Sequence, residues 1–318
     1  MWKRVVGALC VTSVLYGAVL TPERFIEAGG NVIDVVVKEG KIIAGTDAGT
    51  LEVYDFETGV LQKAFQMTPI EDFMGNPMPA KVFSIDKIAN MERYLVLAQS
   101  PTSYREVFII QDGKQRKIID TADRLMIKKA KFIAPQVILL GLLSNELVLF
   151  DIEKEAIEYR FQLTQSHFSD FALSKDKTLV PTTDESGKVH LVDVKRGKVM
   201  QTFKGGNVDN VYKLDMEEER ILTAGQDRRG ILYERTTGKF DRYDAEFLIY
   251  ACALSPSAKL GALPPTEQNE NAIYDVDTKR QLHLLRGQKT TLNTIVFVDE
   301  KTLVSSSDDK FIMIWSIP

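Results

Sequence analysis

The sequence predicts an all-β chain folded as a seven-bladed β-propeller, its ring closed by an N-terminal strand. Three observations predict it. A unit of apolar strand, polar turn and apolar strand recurs along the chain, its spacing is close to 41 residues, and the last copy stops one strand short. The unit is readable in IIAGTDAGTLEVYDFETG, VILLGLLSNELVLFDIEK, TLVPTTDESGKVHLVDVKRG, ILTAGQDRRGILYERTTG, the more diverged LGALPPTEQNENAIYDVDTK, and TLVSSSDDKFIMIWSIP. The residue ending its second strand serves as a ruler. It falls at Tyr54, Phe150, Val192, Tyr233, Tyr274 and Trp315, and from Phe150 onward the steps are 42, 41, 41 and 41. A period of about 40–45 residues is that of a four-stranded blade.

In chain order, the first element is an address. MWKRVVGALCVTSVLYGAVL carries Lys3 and Arg4, then an uncharged apolar run from Val5 to Leu20. These are the n-region and h-region of a secretory signal. Cleavage is expected after Ala18, leaving residues 19–318 as one propeller in the periplasm. The 16-residue run is short for a membrane span, and Leu9 before Cys10 does not suit a lipoprotein signal. No membrane insertion is therefore expected after cleavage; the competing reading is an uncleaved anchor. Cys252 is then the one remaining cysteine, so no internal disulfide can form. In the alternating stretch IYACALS it reads as a buried apolar thiol.

Between Tyr54 and Phe150 the period requires one further repeat, with its ruler at Ile109 in REVFIIQDGK. The step from Tyr54 is then 55, about 14 residues too long, and QMTPIEDFMGNPMPA, with three prolines, reads as an inserted loop. The fourth repeat shows a whole blade: strands at 170–173, 178–182, 188–192 and 199–203, divided by polar turns. The acidic run Asp215–Glu219 reads as a solvated hairpin tip in repeat five. No stretch after the signal is amphipathic over enough length for a stable helix. The ruler strand is the third of four, so FIMIW at the end lacks an outer partner. Glu23–Glu27, within PERFIEAGG, is the free strand-like segment expected to pair with Phe311–Trp315 and cover that edge.

Formal net charge is −4, with 40 basic and 44 acidic residues, which disfavours nucleic acid and anionic membrane as partners. The three histidines, His167, His190 and His283, match no zinc or haem spacing, and no C-x-x-C-H, nucleophile elbow or phosphate-binding loop occurs. No catalytic residue, cofactor site or metal site is assigned. The inserted loop offers Met67, Phe73, Met74 and Met78. Packing against the blade is the first expectation for them, a partner-binding loop the second, and copper(I) ligation a distant third. Arg228 and Arg229 in AGQDRRG read either as a solvated turn or as a grip for a partner's carboxylates.

The last repeat, LLRGQKTTLNTIVF followed by TLVSSSDDKFIMIWSI, resembles the WD-repeat propellers. It departs from their pattern at Gln288, where the family has His, and at Ser316, where it has Asp. The resemblance implies a hydrogen-bonded network kept in part by Ser306, Asp308 and Trp315, with Asp47, Asp184 and Asp227 as structural turn acids in three other blades. Two segments, 128–152 and 204–234, together with IDK, YREVFII and FSDFALS, resemble the WD-repeat accessory proteins encoded with bacterial periplasmic nitrate reductase systems. That resemblance implies a non-catalytic interaction scaffold supporting reductase assembly or electron transfer, with reductase components as partners. The alternative is a propeller enzyme, such as a metal-dependent hydrolase or lactonase, with carboxylates and Asn around an ion in the central channel.

Overall fold

Six four-stranded antiparallel meanders and a seventh of three strands account for most of the chain in the computed structural model, which describes residues 17–318. Blades 1 to 5 occupy residues 32–66, 82–119, 127–162, 168–203 and 211–244. Blades 6 and 7 occupy 253–285 and 292–316, each extended by a short N-terminal strand. Each first strand contacts the first strand of the next blade, and that of blade 7 returns to blade 1. The seven first strands therefore line a central channel. Among the described residues the only helical turn is a 3-10 turn, Thr121–Asp123, and no helix is long and apolar enough to cross a membrane. The expected signal segment lies outside the described residues except for Gly17 and Ala18.

The ruler residues occupy one structural position. Tyr54, Phe150, Val192, Tyr233, Tyr274 and Trp315 are each the penultimate residue of a third strand. They face Ile42, Ile138, Val180, Ile221, Gly261 and Leu303 of the second strand. In blade 2 the equivalent is Ile110, opposite Tyr94, rather than Ile109. The run VFII is apolar throughout, so spacing alone does not separate one isoleucine from the next. In blade 4 the strands are Phe168–Phe171, Leu179–Asp184, Val189–Asp193 and Lys198–Phe203, up to two residues from the expected bounds. Asp184 is still in the ladder because its backbone pairs with Phe168.

The acidic run corrects the expectation of a solvated tip. The first strand of blade 5 is Val211–Glu217, and Asp215 pairs with Leu222 inside it. Only Glu218 and Glu219 lie in the turn. A first strand presents a free edge to the channel, and Asp215 accepts the Leu254 N–H of the next blade there, so charge stands at positions that read from sequence as strand-breaking.

The ring closes as the missing strand requires. Arg24–Glu27 pairs antiparallel with the last strand, Phe311–Ser316, in the register Arg24 to Ile314 and Glu27 to Phe311. The Glu23 N–H donates to the Ile314 carbonyl at 2.9 Å and Ala28 N–H to that of Lys310 at 2.8 Å. Ile26 is buried among Val35, Ile42 and Tyr54 of blade 1 and Ile312 and Ile314 of blade 7. The Arg24 guanidinium donates to the carbonyls of Phe56 and Glu57, tying the closure strand to blade 1 as well. A second strand was not expected: Ala18–Leu20 runs parallel to the outer strand of blade 6, matching His283 to Leu285. The expected cleavage point thus falls inside a paired strand.

The inserted segment is an outgrowth between blades 1 and 2, with a small hairpin pairing Ile70 with Met78 and Glu71 with Pro77. Met67 and Ile70 are buried in the core shared by the two blades, and Met78 packs against it. The expectation that Phe73 tucks against the blade fails. It stands at the hairpin tip, 95% exposed, beside Met74 at 69%. The tip turn is built from Asp72, whose carboxylate accepts the Met74 and Asn76 N–H groups, and these bonds hold it away from the apolar surface.

Removing residues 22–28 is expected to lower the melting temperature strongly. Ile26→Ala alone should cost roughly 2–5 kcal/mol in denaturant unfolding, the range for a truncated core isoleucine.

Candidate interaction site at the central channel

A strand bordering a channel has one unpaired edge, and its inward N–H groups need acceptors. Here side chains of the preceding blade supply them. Asp34 accepts the Ile85 N–H at 2.9 Å, Ser84 the Ala130 N–H at 3.4 Å, and Asp170 the Leu214 N–H at 3.3 Å. One level deeper, Asp86 accepts Phe132 N–H and Asp215 accepts Leu254 N–H, both at 2.8 Å. The third or fifth residue of one first strand therefore stitches to the next blade. Lysines complete the ring: Lys38 meets Asp86 at 2.6 Å, Lys129 meets Asp170 at 2.7 Å, and Lys131 meets Asp34 at 3.4 Å while donating to the Ile85 carbonyl. Lys129 also donates to the Phe171 carbonyl and Asn293 to that of Val32, carrying the stitching from blade 3 to 4 and from blade 7 to 1.

Burial and pairing compete at these groups. Burial pushes the Asp86 carboxyl up, but Lys38 and Lys131 outweigh it and its pKa ends below the ordinary value. Asp170 behaves likewise, with Lys129 and Lys213 prevailing over burial. Burial wins at Asp215, which has no lysine in contact, and its pKa is raised. Glu217, near the far end of the same strand, is pushed up to about 7 by burial and by Asp215. Burial raises the Cys252 thiol well above its usual range, and its sulfur donates to the Leu222 carbonyl. Cys252 is buried as expected, though it precedes the short strand Ala253–Leu254 rather than lying in it. A cavity of about 210 Å³ in the channel is lined by Asp170, Lys129, Lys213, Asp215, Glu217 and Cys252. Among the described residues, no three of His, Cys, Asp and Glu form a group able to hold a metal ion.

In an antiparallel meander, the loop entering the first strand and the hairpin joining strands two and three lie at the same end. The channel mouth at that end is lined by Arg105, Lys128, Lys129 and Lys213, with Phe83 and Tyr212, around a cavity of about 270 Å³. Arg105 lies over the Phe83 ring at 3.7 Å and burial pushes its pKa down to about 10. Tyr212 stacks on Tyr250 at 4.8 Å. The Met-containing hairpin and the Arg228–Arg229 turn open onto this same face but belong to blades three apart, so they do not form one site. Arg228 is exposed and has φ 63°, at the turn position that Gly49 and Gly187 fill in blades 1 and 4. Arg229 donates to the Gly206 carbonyl, 3.3 Å away, and lies 3.9 Å from Asp227.

The blade network differs from the expectation in its members. Trp315 Nε1 donates to Ser305, not Ser306, at 2.8 Å; Ser305 donates to Gln288 Oε1, and Gln288 Nε2 donates to Ser307. Gln288 thus replaces histidine as a bridge with one acceptor and one donor end. Ser306 and Asp308 instead hold Asn293. Four residues before the first strand of blade 5, Asn207 occupies the place of Gln288 and links Thr223 to Asp227. In blade 4, Thr164 holds that place and donates to Asp184, which also accepts from Asn145 of blade 3. Asp47 accepts both N–H groups of Asn31, backbone and side chain. Gln288 was noted only as a departure from the family's His, and Asn207 and Thr164 were missed because the three share no residue type; their constant offset from the first strand was the available signal. The histidines are scattered: His167 pairs with Glu185 on the surface, His190 meets Thr202, and His283 lies in the outer strand of blade 6.

No protein-family model matches the chain. It is 23% identical over 203 residues to a CCR4-associated factor 4 homolog of Candida glabrata. The match covers 55% of this chain and 34% of that protein, so it spans about a third of the relative's length. With the seven blades, the chain is consistent with a WD-repeat-like propeller.

Two outcomes follow for the channel. Asp86→Ala leaves the Phe132 N–H and the Lys38 ammonium without their carboxylate acceptor and should cost about 3–5 kcal/mol, read by chemical denaturation. For Glu217, the folded chain retains a proton between pH 4.5, the ordinary glutamate value, and about 7, where the unfolded chain has released it. Folded stability from this group therefore falls as pH rises through that window. The stability difference between Glu217→Gln and the parent should shift in favour of the variant across it and level off above, while the lowered Asp86 and Asp170 act only in more acid solution, below about 3.8.

Proposed function

We propose that the chain is a non-catalytic protein-interaction scaffold that works on its channel-mouth face. One observation carries the reading: an apolar pair, Phe73 and Met74, is held out in solvent on a hairpin whose base is anchored by Met67 and Ile70. Core packing does not account for that tip, and an exposed aromatic–methionine pair is suited to a protein partner. The stitched channel supports the same reading, since it makes the disc rigid beneath the loops. The matched relative is itself named for an association with another factor.

The partner we propose is a component of a periplasmic nitrate reductase system, with this chain exported by its N-terminal segment and supporting assembly or electron transfer. This rests on the resemblance of residues 128–152 and 204–234 to the accessory WD-repeat protein NapL. Chemical cross-linking in periplasmic extract, followed by mass spectrometry, tests both parts. Recovery of reductase subunits with the parent chain, reduced at least about tenfold by Phe73→Ser with Met74→Ser, is the expected result, as for a hot-spot anchor. Absence of reductase subunits overturns the assignment; equal recovery with the variant overturns the role of the tip.

A further inference from the structure

We propose that the channel mouth binds the oxyanion of an acidic protein segment, a side-chain carboxylate or phosphate, through Arg105, Lys128 and Lys213. The inference rests on the scaffold reading and names the chemistry of its partner. Among the described residues, none of these three cations has a carboxylate within the 4.0 Å of an ion pair, although they stand around one cavity. The acids of that mouth are already engaged. Asp34 holds the Ile85 N–H and Lys131; Asp170 holds Lys129 and the Leu214 N–H. Local positive charge is thus left over in a chain whose net charge is −4.

Arg105 is the anchor. It is half-buried, braced on the Phe83 ring, and one Nη donates to the Lys128 carbonyl at 3.3 Å. A partly desolvated guanidinium without a carboxylate is unfavourable until an anion arrives, and its remaining N–H groups form a fork suited to a planar or tetrahedral oxyanion. Lys128 is exposed and Lys213 is half-buried on the neighbouring wall. The cavity of about 270 Å³ falls below the size range of pockets that enclose a whole cofactor. It suits a single functional group.

A second cavity, about 400 Å³, adjoins through the stacked Tyr212 and Tyr250; Phe247, Leu248 and Pro264 line its apolar part, and Glu267 with threonines and Asn269 the rest. An anion site beside this partly apolar cavity fits a peptide carrying an acidic residue next to an apolar one, which Phe247, Leu248 and Pro264 can contact. The overall negative charge disfavours a long polyanion.

Fluorescence anisotropy on the full chain tests this with labelled short peptides. One contains glutamates, one a single phosphoserine, and one glutamine and serine in their place, all with leucine flanks. Saturable binding of a glutamate or phosphoserine peptide, but not of the neutral one, is expected, and the two anionic arms separate carboxylate from phosphate. Lys128→Gln with Lys213→Gln should weaken it at least about tenfold, as removal of charge-assisted hydrogen bonds does, while the folded state is retained by circular dichroism; Arg105→Lys should retain part of it. Equal binding of the neutral peptide, equal affinity in the double variant, or binding of inorganic phosphate alone overturns the inference. If the lysine variant still captures the partner that the Phe73–Met74 tip captures, the inference fails while the scaffold reading stands.

Discussion

The inward N–H groups of seven channel-lining strands are the constraint on which the rest of this molecule depends. An unsatisfied buried N–H costs about 1–3 kcal/mol, and a ring of them would cost much of a domain's net stability. In blades 2, 3, 5 and 6, carboxylates and a serine hydroxyl from the preceding blade accept them, which converts a liability of the strand into a bond between blades. The acids bring their own desolvation problem, and Lys38, Lys129 and Lys131 offset it. Where a lysine is missing, at Asp215 and Glu217, burial raises the pKa instead. The charge of the channel is therefore mostly engaged in holding the ring together. What remains free, at the mouth, is positive.

Closure solves the same problem at the outer edge. The last blade is one strand short, and an uncovered Phe311–Ser316 would present a long apolar edge for aggregation. Arg24–Glu27 covers it, and Arg24 reaches on to the Phe56 and Glu57 carbonyls, so blades 7 and 1 are joined at rim and channel alike. The preceding strand, Ala18–Leu20, caps blade 6 before the chain crosses to blade 7. With no disulfide available from the one described cysteine, this pairing of the two ends is what makes the ring continuous.

Much of the architecture was legible because it is periodic. The ruler residues, the extra length before blade 2 and the missing outer strand all follow from counting, and the positions counted are apolar or aromatic residues, all buried but the partly buried Tyr274, whose spacing reports the strand ladder directly. The one-residue slip at Ile110 arose where VFII offers no alternation to count. The blade networks were legible only in part. Trp315 was visible, but its partners are Ser305 and Gln288, and Asn207 and Thr164 fill the bridging place elsewhere. Hydrogen-bonding capacity at that place is kept while residue type changes, so a residue pattern does not find it.

By itself, then, the sequence determined the blade count, the closure strand and the place of the inserted loop, because each is written in local spacing and in the apolar face that a strand must bury. Only the tertiary structure decided the chemistry of the channel. Asp34, Asp86, Asp170 and Asp215 stand 39 to 51 residues from the N–H groups they accept, and Arg105, Lys128 and Lys213 come from three different blades. Their meeting depends on how seven sheets turn around one axis. An acidic run that looks like a solvated tip along the chain becomes, in the ring, part of the wall.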